Sequence, residues 1–320
     1  MNDEETALLK LVKKYKIDPW NSIYYNQPIF TTLIEKYAKS NLTLGNYYDD
    51  FIVTILGRQE VKDINKNMVA LIGLAPNSPP HLGTLLQLLA GNSLKDRQVR
   101  FIVSFNDIEA QLVRNTSRRL VVTNISREYN SAFYFLNIKP DEIVIRSKIP
   151  ELSSYVEQIR KISREININD YYGRELNDNE KLSVFVMCAE FLRITLKYKN
   201  VVTFYSIEES SHLLYIRQVM KHFKLKPPIC YVSRQIPSFD IGKKMSKSQC
   251  KNIYYSSKPT HEILKGISIL EKSFIDKHTN ECPYEYIDNI LLGGFLTKRK
   301  HICSVKNHNN IIKAMRERRG

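Results

Sequence analysis

Lys243, Lys244 and Lys247 crowd the stretch DIGKKMSKSQCKN at 240–252, and Ser246 and Ser248 flank the last of them. Ammonium groups spaced by small hydroxyl residues can close on a polyphosphate and stabilise charge that builds on a leaving group. The same run could be a solvated basic loop, so the phosphate reading needs a second site elsewhere in the chain. The candidate is 72-IGLAPNSPPHLGTLLQLLAG-91. It leaves an apolar run at Gly73, passes Pro76 and Pro79-Pro80, and presents His81, Gly83 and Thr84 where Leu82, Leu85, Leu86 and Leu89 begin a helical pattern. A glycine at a helix start lets a flat ring or a phosphate approach the backbone, with an imidazole beside it.

Such residues need a scaffold, and the patterning supplies one. Short apolar runs, MVALIG (68–73), FIVSF (101–105), EIVIRS (142–147), NVVTFYS (200–206) and ICYVS (229–233), alternate with helical stretches at 116–136, 151–165 and 181–198. That alternation predicts an α/β fold, a Rossmann-type parallel sheet with helices on both faces. Ligands in such sheets bind beyond the carboxyl ends of the strands, where the loop after residue 73 falls. Helical spacing at 5–16 and 28–40, separated by DPW at 18–20, predicts a helical N-terminal portion over 1–65. The Rossmann domain is expected over 66–255, with the polar segment 166–180 as a connective helical insertion, and a short basic helical region over 256–320.

The formal charge of +15 favours a polyanionic partner. Residues 298–320 carry eight Lys or Arg against one Glu, which reads as a nucleic-acid contact or as a solvated tail. The five cysteines are odd in number and form no CxxC pair, which predicts reduced thiols and a cytoplasmic protein. His301, Cys303 and His308 match no zinc spacing, so no metal site is expected from them. The N-terminal stretch MNDEETALLKLVKKYKI reads neither as a secretory signal nor as a membrane span, so no membrane partner is expected.

Read together, His81-Leu82-Gly83 and Lys244-Met245-Ser246-Lys247-Ser248 resemble the HxGH and KMSKS signatures of the class I aminoacyl-tRNA synthetases, in the family's order. About 160 residues separate them, too few for the large editing insertions of the isoleucine, valine and leucine enzymes. DPW at 18–20, 102-IVSFNDIEAQL-112, 205-YSIEESSHLLYIRQV-219 and the approach to Lys244 resemble tryptophanyl-tRNA synthetase. The resemblance implies ATP with Mg²⁺, tRNA and tryptophan or another aromatic amino acid as ligands, and a homodimer. It implies that Lys244, Lys247 and His81 act on the phosphates. Gly73, Pro76, Gly83, Thr84, Met245, Ser246 and Ser248 would complete the ATP site. Leu71, Ser104, Glu109, Glu190, Glu208 and Glu209 would surround the amino acid, with Glu109 matching a family glutamate that helps hold the substrate.

The departures from the pattern fall mostly in that second group. Thr84 replaces the second His of HxGH, Leu71 stands where the archaeal and eukaryotic enzymes usually have Tyr, Ser104 where they have Gln, and Glu208-Glu209 replaces an acidic-Gln pair. Glu190 either faces the pocket, as in the bacterial form, or sits on a helix surface. Only 72 residues follow Ser248, fewer than the helical anticodon-binding region of typical relatives. The implied activity is activation of tryptophan as an adenylate and transfer to tRNA. The alternatives are a paralogue that activates another amino acid such as tyrosine or uses a non-tRNA acceptor, and a non-catalytic tRNA-binding homologue.

Overall fold

Alternation across the strands decides which side chain meets which helix layer, and therefore what can reach the carboxyl end of the sheet. The computed structural model describes residues 1–20, Leu42, Leu44 and 51–235. The expected helix at 28–40, the stretch 240–252 and the expected C-terminal region 256–320 lie outside the described residues. Six strands form one sheet: β1 (Ile52–Leu56), β2 (Val69–Leu74), β3 (Arg100–Phe105), β4 (Glu142–Ile145), β5 (Val201–Ser206) and β6 (Ile229–Ser233), in the order β1-β6-β5-β2-β3-β4. All neighbours are parallel except β1, which pairs antiparallel with β6.

The sheet is thus mixed, and β1 arises inside a segment read from sequence as helical. Its five residues are all buried, so the strand shows no polar alternation to reveal it. The other five strands match the apolar runs read from sequence. Nine α-helices accompany them among the described residues: α1 (Asp3–Tyr15), α2 (Leu82–Ser93), α3 (Asp107–Leu112), α4 (Arg118–Thr123), α5 (Asn130–Phe135), α6 (Leu152–Ile162), α7 (Asn169–Tyr172), α8 (Asp178–Tyr198) and α9 (Ser210–His222). None of the helices is long and apolar enough to cross a membrane.

Two cores follow from the period of two along each strand. Ala70, Ile72, Phe101, Val103, Val202, Phe204 and Tyr231 pack with Leu85 and Leu88 of α2. Val69, Leu71, Ile102, Tyr205, Cys230 and Val232 pack on the other face with α8, α9 and α1. Ser104 shares a face with Ile102, so it is aimed at α8 rather than at α2.

The N-terminal helix is tied to this second layer by buried charge. Asn2 and Glu5 form a reciprocal capping box at the start of α1. Arg217 of α9, fully buried, donates its Nε to Glu5 Oε1 at 2.6 Å and its Nη2 to Glu60 Oε1 at 2.6 Å, and also bonds the Pro228 carbonyl. Burial alone would raise the Glu5 pKa, but hydrogen bonds from Lys221 and Arg217 outweigh it and hold that carboxyl below its ordinary value. Once α1 is docked in this way, the chain leaves it toward Asp18-Pro19-Trp20.

Candidate active site

Strand order reverses between β2 and β5, and a cleft of about 240 Å³ opens there at the carboxyl ends of the strands. Gly73 and Leu74 reach it from β2, Asn106 from the end of β3, Arg146 from the end of β4, Tyr205 and Ser206 from β5, and Ser233 from β6. The following loop is fixed by Asn124, whose buried side chain donates to the Pro76 carbonyl at 2.9 Å. Asp107 Oδ1 accepts from the Ser147 backbone at 3.0 Å, which ties the segment carrying Arg146 to α3.

His81 is the N-cap of α2. Its Nδ1 accepts from the backbone N–H of Gly83 at 3.1 Å and of Thr84 at 3.4 Å. An imidazole whose Nδ1 accepts carries its proton on Nε2 when neutral, so the outer edge of the ring is a donor. Together with the positive end of α2, this makes the helix start suited to an anion. Gly83 serves the same cap, because a Cβ there would lie 3.0 Å from His81 Cε1 and 3.2 Å from Nδ1. Gly83→Ala is therefore expected to push the ring out of its cap. A cost of about 1 kcal/mol is expected for a lost N-cap, with weaker nucleotide binding. Thermal melting and ATP titration of the intrinsic fluorescence test this, since the chain's single tryptophan lines the cleft. Unchanged melting and unchanged titration would count against the cap.

That tryptophan, Trp20, is a constructed wall. Its backbone N–H donates to Asp18 Oδ1 at 2.8 Å, Asp18 pairs with Arg174, and Arg174 binds Glu180 with both terminal nitrogens at 2.9 and 2.8 Å. The Trp20 ring stacks on Tyr172 at 5.8 Å between centroids and meets His212 edge-on at 5.3 Å. Burial holds the His212 imidazole down at about 4, against nearby carboxylates that pull the other way, so it is neutral at pH 7 and bonds the Tyr172 hydroxyl. The unfolded chain takes up this proton near 6.5 and the native state only near 4. The stabilisation is complete above pH 6.5 and declines as pH falls toward 4. Unfolding followed by Trp20 fluorescence is expected to show that decline, with a flatter profile in His212→Gln; identical profiles would refute the assignment.

The carboxylates divide into cleft and interior. Glu109, Glu208 and Glu209 all line the cleft. Glu109 accepts from Asn106 Nδ2 at 2.8 Å, Glu208 from the Ser206 hydroxyl, and Glu209 from the Ser206 N–H at 3.0 Å and Gln87 Nε2 at 3.3 Å. Gly73, His81, Gly83 and Thr84 line it too, whereas Leu71, Ser104, Pro76 and Glu190 do not. Leu71 is fully buried in the core facing α8 and α9. Glu190 is fully buried, neither on a helix surface nor on the cleft wall: Ser104 donates to its Oε1, and Arg146 Nε to its Oε2 at 2.6 Å.

Arg146 is the group the sequence reading passed over. A charged residue directly after EIVI stood at a strand's carboxyl end, which was the available signal. The guanidinium is about 2% exposed, and it reaches the cleft beside Gly73, where a Cβ would lie 2.6 Å from Nη2.

Part of this site, the helix start with His81 and Gly83, together with Glu109 and Arg146, lies on a segment with known relatives, whereas Trp20, Glu208 and Glu209 lie outside it. Residues 62–192 match the family model of tRNA synthetases class I (W and Y). Over that segment, which is less than half of the chain, the sequence is similar to class I tRNA synthetases of the W and Y type. The likeness of fold extends further. The structure is similar to tryptophanyl-tRNA synthetase from Aeropyrum pernix K1, with a TM-score of 0.63, 17% identity, and 96% of this chain and 90% of that one covered. It is similar to tyrosyl-tRNA synthetase from Aeropyrum pernix, with a TM-score of 0.62, 13% identity, and coverage of 91% and 87%. A product-bound parasite tRNA synthetase gives a TM-score of 0.65 at 15% identity, with coverage of 96% and 90%. No curated protein sequence matches the chain.

Proposed function

We propose that the chain activates an aromatic amino acid with ATP and transfers it to tRNA. The observation that carries this is the cleft at the switch point, with the His81-capped start of α2 and the carboxylates of Glu109, Glu208 and Glu209 in one space. An amino acid brings a cation and a carboxylate, and ATP brings phosphates, so a site for both must hold opposite charges side by side.

His81 Nε2–H and the start of α2 would bind phosphate, with Gly73, Gly83 and Thr84 around the nucleotide. The three glutamates would hold the ammonium. The amino acid's carboxylate then attacks the α-phosphorus and pyrophosphate departs. Lys244 and Lys247, supported by Met245, Ser246 and Ser248, would close on the charge of the leaving group. No protein nucleophile is required, since positioning and electrostatics supply the rate. Mg²⁺ would arrive on the phosphates, the usual arrangement for this ion. The basic stretch 298–320 would contact tRNA, and the domain limits at 65 and 255 would separate an N-terminal portion and a tRNA-binding region from the catalytic unit. A homodimer in the cytoplasm completes the reading.

Tryptophan, to which the sequence resemblance points, and tyrosine are the substrates that the relatives' names carry. Pyrophosphate exchange into ATP, run with each of the twenty amino acids, tests the proposal. Exchange with one aromatic amino acid, followed by charging of its tRNA, is expected. Absence of exchange with every amino acid would leave only a binding role.

A further inference from the structure

We propose that Arg146 reads the tip of the amino-acid side chain, and that the pocket selects a side chain ending in a neutral hydrogen-bond acceptor that can also donate, a phenol rather than an indole. The inference rests on the adenylating reading of the cleft and names its substrate class.

The guanidinium carries five N–H groups. Nε is committed to Glu190, and no described residue accepts from the two terminal nitrogens, yet neither is a sealed, unsatisfied atom. They therefore face the cleft that Arg146 lines. The space a Gly73 Cβ would fill lies 2.6 Å from Arg146 Nη2 and 3.8 Å from Tyr205 Oη. Tyr205 spends its own proton on Met187 Sδ at 3.4 Å and so presents lone pairs. Donors from Arg146 and an acceptor from Tyr205 thus meet beside Gly73, with Trp20 and Met187 supplying flat or apolar wall elsewhere in the cleft.

A hydroxyl answers both groups. An indole N–H answers Tyr205 alone and leaves the buried guanidinium N–H groups without an acceptor, and a phenyl ring answers neither. A site built to bond a hydroxyl rejects the analogue lacking it strongly, by about 10⁴-fold in favourable cases. An anionic side chain fits poorly as well, because Glu190 already balances the Arg146 charge and a second buried anion would have no counter-charge.

The test uses the full chain and compares it with Arg146→Met/Glu190→Met, which removes the ion pair without stranding either charge. Circular dichroism and thermal melting first establish that the double variant folds. Wild type is expected to catalyse pyrophosphate exchange with tyrosine at least about 100-fold better than with phenylalanine or tryptophan. In the double variant that ratio should collapse to below about 10-fold. Preference for tryptophan, phenylalanine or any side chain without a neutral acceptor at its tip overturns the inference and leaves the adenylating reading intact. If no amino acid supports exchange, that reading fails, and calorimetric binding of tyrosine, phenylalanine and tryptophan decides the inference. A tyrosine advantage lost in the double variant supports it, and no advantage overturns it.

Discussion

Glu190→Ala is expected to lower the melting temperature by about 6–20 °C, the largest stability effect expected of a single change in the site. The carboxylate is fully buried and holds two partners, Ser104 and Arg146, the latter at 2.6 Å. Its removal leaves a guanidinium about 2% exposed with no counter-charge. Breaking a buried ion pair on one side costs about 3–5 kcal/mol, and each kcal/mol shifts the midpoint by about 2–4 °C in a domain of 150–250 residues. That is a large share of a native stability of about 5–15 kcal/mol. Replacing both partners by methionine is expected to be near neutral, since the desolvation cost disappears with the attraction. Thermal unfolding of wild type, Glu190→Ala and the double variant checks this. A Glu190→Ala melt within about 2 °C of wild type would show that the pair is not the anchor of the cleft floor.

The same pair explains where sequence reading reached its limit. Five of the six strands were legible as short apolar runs alternating with helical periods; β2, β3, β5 and β6 are largely buried, and β4 is a partly exposed edge strand. Strand β1 carries the same kind of mark, the buried apolar run FIVTIL at 51–56, but that run lies inside a segment read as helical up to residue 65 from the spacing at 5–16 and 28–40, and its antiparallel partner lies about 180 positions away. In the site, His81, Gly83 and Thr84 were legible as a helix start. The fate of Glu190 was not, because its partners arrive from β3 and from the end of β4, and only the sheet order brings them to α8. Nor could spacing reveal that Asp18, Arg174 and Glu180 build the wall behind Trp20, since this contact spans 156 residues. Local patterns specify elements; charge compensation between elements is a property of topology.

Lys244→Ala is expected to reduce turnover in pyrophosphate exchange by about 100- to 1,000-fold, the cost of removing one preorganised group from developing charge. Lys244 lies outside the described residues, so the expectation rests on the chemistry of the proposed step. In the proposed step the amino acid's ammonium and side chain would be held by the cleft that Glu109, Glu208, Glu209 and Gly73 line. None of these contacts involves the pyrophosphate, where negative charge grows as the bond to the α-phosphorus breaks. An ammonium that meets that charge only in the transition state lowers the barrier without tightening the ground state. The amino-acid KM should accordingly move by less than about three-fold, within the range expected when uniform binding is untouched. Steady-state exchange kinetics with amino acid and ATP varied separately provide the measurement. A parallel rise in amino-acid KM with little loss of kcat would place Lys244 in substrate binding, and the phosphate clamp would then fall to Lys247 and His81.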